Sequence, residues 1–469
     1  MNPEVQALCR EIRPYLSARP HYVYVRTFGC QQNVADGEKM LGMAVEMGYV
    51  PCDDPDRADL ILVNTCAVRE HAERRVLSVI GSFRRLRETR PGLIIGVTGC
   101  MTARTARVEQ LRRSYPYVTF TLAPGRLAEM PRCILHALRR IAGEQRGSRR
   151  SFCLPDDAAS VEEGLPVLRA ERHRAWVPVM YGCDNFCSYC IVPYVRGRER
   201  SRDSAEIVSE VRGLVSAGVK EITLLGQNVN SYRGSCTFPE LLEQLAALPG
   251  DFLLHFMTSH PKDASPALIR VMAEHPTRVS SHLHLPLQSG SDRILAAMNR
   301  RYTLERYRGI VRDLRAAIPD ASLTTDIIVG FPGETEEDYE RTLDALREFR
   351  FDLVYAFVYS PREGTVAASL PDAVPEEEKK RRINRLLEMQ ATISAECAQR
   401  HVGKTLRVLV DSPARVGDGD VYAARTSQNK LVHFHSPVDL TGRYVTLRID
   451  RADAFALYGT PVDEPPARD

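Results

Sequence analysis

Three apolar, β-branched runs open the chain, at 21–30, 59–66 and 92–100. None alternates strictly between apolar and polar positions. They read as strands buried on both faces, the pattern of a parallel sheet. Helical periodicity follows them, as in 68–86. Each run ends in a cysteine, and Cys30, Cys66 and Cys100 are spaced 36 and 34 residues apart. That spacing suits the βα units of a doubly wound fold. Functional groups in such folds gather at the carboxyl ends of strands, so the three cysteines are expected to converge.

The pattern loosens over 138–173, where Arg146, Arg149 and Arg150 stand among Gly and Ser. A solvated linker is expected there. Six further strand-like runs follow, at 176–181, 221–225, 252–258, 282–287, 323–329 and 353–359. Helical stretches separate them, including 204–217, 292–298 and 335–349. The last opens with Thr335 and Asp338 in capping-box positions. This alternation predicts a partial (β/α)6 barrel with its site at the carboxyl ends of the strands. Polar and Gly-rich motifs stand at three of those ends: Gly226-Gln227-Asn228, Gln288-Ser289-Gly290-Ser291, and Asp326 to Gly330 and Gly333. From residue 402 the runs are short and β-rich, at 403–411, 421–426, 431–435 and 443–449, which predicts a small β-barrel. The fold class is α/β, with domains at 20–137, 174–400 and 401–464 and the linker between the first two.

Composition narrows the setting. The chain has 44% hydrophobic and 26% charged residues, as ordinary globular proteins do. No apolar run is long enough to span a bilayer, and the N-terminus has no apolar leader. A cytoplasmic location with no membrane partner is expected. In that compartment clustered cysteines point to metal or redox chemistry rather than disulfides. The net charge of +3 does not by itself imply nucleic acid. Almost all the basic residues are arginine, as coding bias also produces, so arginines are judged by place. Residues 401–464 balance eight Lys and Arg against seven Asp and one Glu. His433 and His435 alternate there without a metal-binding pattern.

The densest chemistry is Cys183-x-x-x-Cys187-x-x-Cys190, just after the first barrel strand. Three thiolates so close can hold one face of an iron–sulfur cubane and leave one iron open. Zinc prefers Cys-x-x-Cys pairs with two further ligands, and no second pair lies nearby. With Tyr189 before its last cysteine, the loop resembles that of the radical S-adenosylmethionine (SAM) enzymes. The segments Thr27-Phe-Gly-Cys30-Gln-Gln-Asn33, Asn64-Thr65-Cys66-Ala-Val-Arg69 and Gly99-Cys100 resemble the N-terminal domain of the methylthiotransferases within that superfamily. Residues 424–430 and 432–434 resemble the TRAM domain, an RNA-binding module.

The methylthiotransferase resemblance extends from about residue 20 to 464. It implies two 4Fe–4S clusters and SAM. The Cys183/Cys187/Cys190 cluster would cleave SAM, and an auxiliary cluster on Cys30, Cys66 and Cys100 would handle sulfur. Tyr189, Gly226, Gln227, Gln288, Ser289, Asp326 and Gly330 fall where the superfamily binds SAM. Residues 226–232, 258–261 and 283–302 resemble the members of the family that act on tRNA, which implies methylthiolation at C2 of N6-isopentenyladenosine, next to the anticodon. The implied partners are that tRNA, an electron donor such as flavodoxin or ferredoxin, and a sulfur or cluster donor; a monomer is expected. The alternatives are a methylthiotransferase for a ribosomal-protein Asp or threonylcarbamoyl-adenosine, and a non-enzymatic RNA-binding iron–sulfur redox sensor. Arg196, Arg198, Arg200 and Arg202, with the C-terminal barrel, are candidates for gripping RNA phosphates. Cys9, Cys52, Cys133, Cys153, Cys236 and Cys397 lie outside the motifs, and ordinary packing is their expected role.

Overall fold

The computed structural model describes residues 2–67, 70–148, 150–152, 161–371, 374–413 and 421–462. Val68, Arg69, Arg149 and Cys153 lie outside the described residues. The chain forms two compact units. The first is Met1–Glu171, Met180–Asp184 and Cys190–Ser201; the second is Arg172–Val179, Asn185–Tyr189 and Arg202–Asp469.

The first unit is built on six strands: β1 (Tyr22–Thr27), β2 (Val50–Pro51), β3 (Leu60–Thr65), β4 (Ile94–Gly99), β5 (Phe120–Leu122) and β6 (Ser151–Phe152). They pair in parallel in the order β2-β1-β3-β4-β5-β6. β3 and β4 are buried along their whole length, as their unbroken apolar runs require. Alternate residues serve opposite faces. Leu60 and Leu62 join the core made with helices α1 (Pro3–Ile12) and α2 (Gln31–Met47). Ile61 and Val63 join the core made with α3 (Glu70–Thr89) and α4 (Thr105–Ser114). Helix α5 (Met130–Ile141) lies on the first face. Cys9 and Cys133 are ordinary members of that first core. The strand order reverses between β1 and β3, and the carboxyl ends at such a switch point are where open α/β sheets bind ligands. Cys30 and Cys66 follow those two strands.

The stretch expected as linker is partly built into this unit. β6 pairs with β5, Leu165 enters the first core, and Leu168 N donates to Glu38 O at 3.0 Å. Arg150 lies over the Phe152 ring at 4.6 Å and donates to the Val118 and Arg112 carbonyls. Most of these partners lie far off in the chain, where local composition does not register them.

The second unit carries six parallel strands that follow one another in chain order. β7 (Arg174–Pro178), β10 (Glu221–Leu225) and β11 (Leu253–Phe256) form one group; β12 (His282–His284), β13 (Ser322–Val329) and β14 (Leu353–Val358) form the other. A parallel bridge pairs Leu254 of β11 with Val279, just before β12. The remaining short strands, β8 (Met180–Tyr181) and β9 (Arg200–Ser201), pair antiparallel within the first unit. The run expected at 176–181 is thus divided. Thr335 and Asp338 form the expected capping box on the helix Glu336–Phe349.

Still within the second unit, β15 (Thr405–Pro413), β16 (Val421–Thr426), β17 (Leu431–His435), β18 (Tyr444–Ala452) and β19 (Leu457–Pro461) close a barrel in the order β15-β16-β17-β19-β18. β19 is not among the strands expected from the sequence, because its Gly459 and Pro461 weaken a strand signal. Ion pairs tie this barrel to the amino ends of the parallel strands: Arg174 with Asp411 at 2.5 Å and Lys430 with Asp352 at 2.6 Å. Among the described residues, no helix is long and apolar enough to cross a membrane.

Candidate active site

The first cysteine trio is assembled by the ends of three strands. Gly29 and Gly99 precede Cys30 and Cys100, with φ of +116° and +96°. A Cβ on Gly29 would stand 2.9 Å from Cys66 Cβ, and one on Gly99 would stand 2.4 Å from Thr65 O. Only glycine lets these strand ends approach so closely. Asn33 then ties the ends together. Its Nδ2 donates to Phe28 O at 2.7 Å and Thr65 O at 2.8 Å, and Asn64 Nδ2 donates to Asn33 O at 2.7 Å. Asn33 Oδ1 stands 3.9 Å from Cys30 Sγ and 4.0 Å from Cys100 Sγ. The structure therefore brings Cys30, Cys66 and Cys100 to one place, as expected.

A buried cation completes this site. Helix α6 (Val192–Arg196) packs against Cys100 and Ala67 through Ile191 and Val195. Its last residue, Arg196, donates from Nε to Cys100 Sγ at 3.2 Å. Burial pushes the Cys100 thiol up to about 11, against the pull of Arg196. Burial also works against the Arg196 charge, but Cys100, Asp36 and Cys30 outweigh it and hold its pKa above the ordinary value.

This placement corrects the reading of Arg196 and Arg202 as phosphate contacts. Arg196 is buried, and Arg202 is buried with its Nη1 on Pro178 O and Glu210. Arg200 donates to Arg196 O, and only Arg198 is mostly exposed, paired with Asp184. The available signal was the i, i+4 pair Ile191 and Val195, which marks the buried side of α6.

The second trio lies in the loop 183–190. In the first unit, Cys183 N donates to Gly197 O at 3.2 Å. In the second unit, the loop is held by the segment after helix Asp292–Ala297. Ser188 N donates to Met298 O at 3.0 Å, and Asn299 Nδ2 donates to Phe186 O at 2.9 Å. Arg300, 5% exposed, donates from Nη1 to Cys187 Sγ at 3.3 Å and from Nη2 to Pro286 O at 2.8 Å. Tyr189 packs against a core of Ile294, Met298, Phe331 and Tyr359.

The strand-end motifs divide into two kinds. Gln227 Oε1, Asn228 Oδ1, Asn230 Nδ2, His260 Nε2 and Gln288 Oε1 are buried without a hydrogen-bond partner among the described residues. Buried polar atoms are ordinarily satisfied, so these suit a polar ligand such as SAM. Burial and nearby Arg300 hold His260 down to about 2, so it is neutral. Asp326 is half-buried, 3.7 Å from His284 Nε2, and Gly226 is half-buried. Ser289 and Gly330 are occupied by the protein itself. Ser289 Oγ contacts Thr342 Oγ1 at 3.4 Å and accepts from Ser291 N, while a Cβ on Gly330 would meet Lys379 Cγ at 2.4 Å.

The first trio suits an iron–sulfur cluster: it combines thiols with a buried guanidinium that donates to one sulfur and with the buried amide of Gln32, whose Oε1 and Nε2 lack a partner among the described residues. In the second unit, Cys187 Sγ likewise accepts from a buried guanidinium, that of Arg300. Among the described residues, no group of three or more His, Cys, Asp or Glu is set to hold a single metal ion. A cubane bonds each thiolate to a different iron, so its sulfurs stand wider apart than the ligands of one ion. Of the remaining cysteines, Cys397 is buried against Arg350 O, and Cys52 and Cys236 are half-buried.

Residues 177–346 match the radical SAM superfamily, and residues 22–123 match the uncharacterized protein family UPF0004. The fold is similar to that of the radical SAM methyltransferase TsrM from Kitasatospora setae, solved with cobalamin and a 4Fe–4S cluster. The TM-score is 0.54 at 17% identity, covering 75% of this chain and 77% of that one. Fold and cysteine loop together define a radical SAM protein with an added N-terminal sheet domain, a class that implies SAM and a 4Fe–4S cluster. The chain is 44% identical over 443 residues to tRNA-2-methylthio-N(6)-dimethylallyladenosine synthase of Carboxydothermus hydrogenoformans, covering 94% of this chain and 99% of that one. It is 45% identical over 442 residues to the synthase of the same name from Acetivibrio thermocellus, covering 93% and 90%. It belongs to the tRNA-2-methylthio-N(6)-dimethylallyladenosine synthase family.

Proposed function

We propose that this protein transfers a methylthio group to C2 of N6-isopentenyladenosine beside the anticodon of tRNA. The carrying observation is identity of 44–45% with synthases of that name over nearly the whole chain. We assign Cys183, Cys187 and Cys190 to the SAM-cleaving cluster, and Cys30, Cys66 and Cys100 to an auxiliary cluster. When bound, the two clusters and SAM supply a carbon-centred radical and a methylated sulfur. Such chemistry suits the target, because an aryl-like C–H bond has no acidic proton for ordinary base catalysis.

The chain's own groups position and shield. Gln227, Gln288, Asn228 and Asn230 present buried amides to the polar parts of SAM, with Asp326 and Gly226 at neighbouring strand ends. Neutral His260 adds an uncharged contact. The reacting base leaves its stack to reach the site, and the C-terminal barrel grips the RNA. The prenyl group rests on apolar side chains. Burying its five carbons contributes on the order of 2–4 kcal/mol, so unprenylated tRNA reacts poorly. Turnover calls for an electron donor such as flavodoxin or ferredoxin and for a sulfur or cluster donor, in the cytoplasm, on a monomer.

The test is anaerobic reconstitution followed by assay with SAM on tRNA with and without the isopentenyl group. Mass spectrometry of the nucleosides separates this product from methylthiolated threonylcarbamoyl-adenosine. Equal rates on both tRNAs would remove the assignment. Clusters and RNA affinity without any SAM turnover would favour the redox-sensor alternative.

A further inference from the structure

Arg196 is 6% exposed, and its Nε and Nη2 are directed at groups of the first unit. Nε meets Cys100 Sγ at 3.2 Å, Nη2 meets Asn33 Oδ1 at 2.5 Å, and Asp36 Oδ2 lies 3.3 Å away. A buried guanidinium is costly unless countercharges and acceptors surround it. Asp36 supplies one negative charge. A second cation, Lys39, is buried on the same helix α2, with Nζ on Tyr181 Oη at 2.9 Å. A further carboxyl that interacts with Lys39, Glu162, is itself pushed up to about 7 by burial, against the pull of Lys39. The interior beside the trio thus tends to net positive charge, and one guanidinium donor is spent on sulfur. A neutral thiol is a weak acceptor. Thiolate sulfur bound to a cluster is a charged one, for which such a bond is roughly twice as strong. Hydrogen bonds to the sulfurs and local net charge are among the terms that set cluster potentials.

We propose, resting on the auxiliary-cluster reading above, that Arg196 is a positioning residue that raises the reduction potential of the cluster borne by Cys30, Cys66 and Cys100. It acts through its contact with Cys100 Sγ and through its buried charge. Removing it disfavours the reduced, more negative state of that cluster.

The test uses the full-length chain carrying C183A, C187A and C190A, reconstituted anaerobically. It holds about four irons, one cubane, whose midpoint is read by potentiometric titration followed by electron paramagnetic resonance. Adding Arg196→Gln lowers the midpoint by about 59 mV or more, a tenfold shift in the oxidised-to-reduced ratio for a one-electron couple. Arg196→Lys keeps the charge and recovers at least half of that fall. An unchanged midpoint in R196Q at full iron content overturns the proposal. Loss of iron from R196Q with iron and near-native midpoint kept in R196K supports it. Loss of iron from both assigns Arg196 a purely structural role and overturns it. A triple variant that holds no iron with Arg196 in place overturns the auxiliary-cluster reading, and the proposal with it.

Discussion

Arg300 Nη1 donates to Cys187 Sγ at 3.3 Å, as Arg196 Nε does to Cys100 Sγ at 3.2 Å in the other unit. Cys187 and Cys100 thus share one device, a sulfur that accepts from a buried guanidinium. In each case the arginine's other donors are fixed on acceptors, Pro286 O for Arg300 and Asn33 Oδ1 for Arg196. Turning the fork away would cost each site those bonds.

Arg300→Gln is expected to slow 5′-deoxyadenosine formation by at least about tenfold and to cost roughly 1.5–3 kcal/mol of stability, the worth of a hydrogen bond to a charged group. Anaerobic SAM-cleavage assays and thermal melts read the two effects. A variant with native cleavage rate would remove Arg300 from the machinery of the second trio.

Replacing Cys30, Cys66 and Cys100 together with Ala is expected to lower iron from about eight to about four per chain, two cubanes to one. That variant keeps forming 5′-deoxyadenosine under a strong reductant yet transfers no methylthio group. The reciprocal variant at Cys183, Cys187 and Cys190 makes no 5′-deoxyadenosine. Should the first variant keep both its iron and its methylthiolation, the strand-end cysteines are structural only.

The buried carboxyl of Glu162 makes the chain's stability depend on pH. Burial raises its pKa from an ordinary 4.5 to about 7, against the pull of Lys39. Across that window the folded chain holds a proton that the unfolded chain has released. Stability therefore falls as pH rises from 4.5 to 7, by at most about 3 kcal/mol from this group. Lys39, whose pKa is raised, keeps its own contribution throughout the window. Glu162→Gln should flatten the decline, read as melting temperature at pH 5 and pH 8. An identical slope in both proteins would mean Glu162 stays ionised.

RNA binding by the C-terminal barrel is better tested by point substitution than by deletion. Removing the barrel would also strip Arg174 of Asp411 and Asp352 of Lys430. Arg448 and Arg451 are exposed on β18, with Arg451 over the Tyr458 ring at 3.7 Å. Changing both to Ala is expected to reduce the slope of log affinity against log salt by about 0.7–0.9 for each phosphate that is no longer neutralised. A slope equal to that of the native chain would clear these two residues of phosphate binding.

What could be read from the sequence was local. The largely apolar runs of β3 and β4 announced buried parallel strands, and the cysteines after β1, β3 and β4 were visible as a repeat. The capping box at Thr335 was legible because it lies within four residues. What escaped depended on distant partners. β6 and Leu165 became part of the first unit through residues far off in the chain. Arg196, in a run of alternate arginines, looked like its exposed neighbour Arg198 until helix α6 turned it inward. Ser289 and Gly330 carried the polar and glycine signals of a binding site, and their contacts with Thr342 and Lys379 were not legible. Asn33 stood inside a recognised motif, yet its role as the tie between strand ends needed the fold.

Closure of the C-terminal barrel has a consequence for association between copies. β19 pairs in parallel with β17 and antiparallel with β18. A sheet so closed offers little edge for a foreign strand to join. On the side between β17 and β18, closure runs through five residues, Leu457–Pro461. Without them, β17 and β18 would each offer a bare hydrogen-bonding margin, and the module would become a template for its own aggregation. Deleting Leu457–Pro461, residues the sequence did not mark as a strand, is therefore expected to make the module aggregate, as light scattering would read.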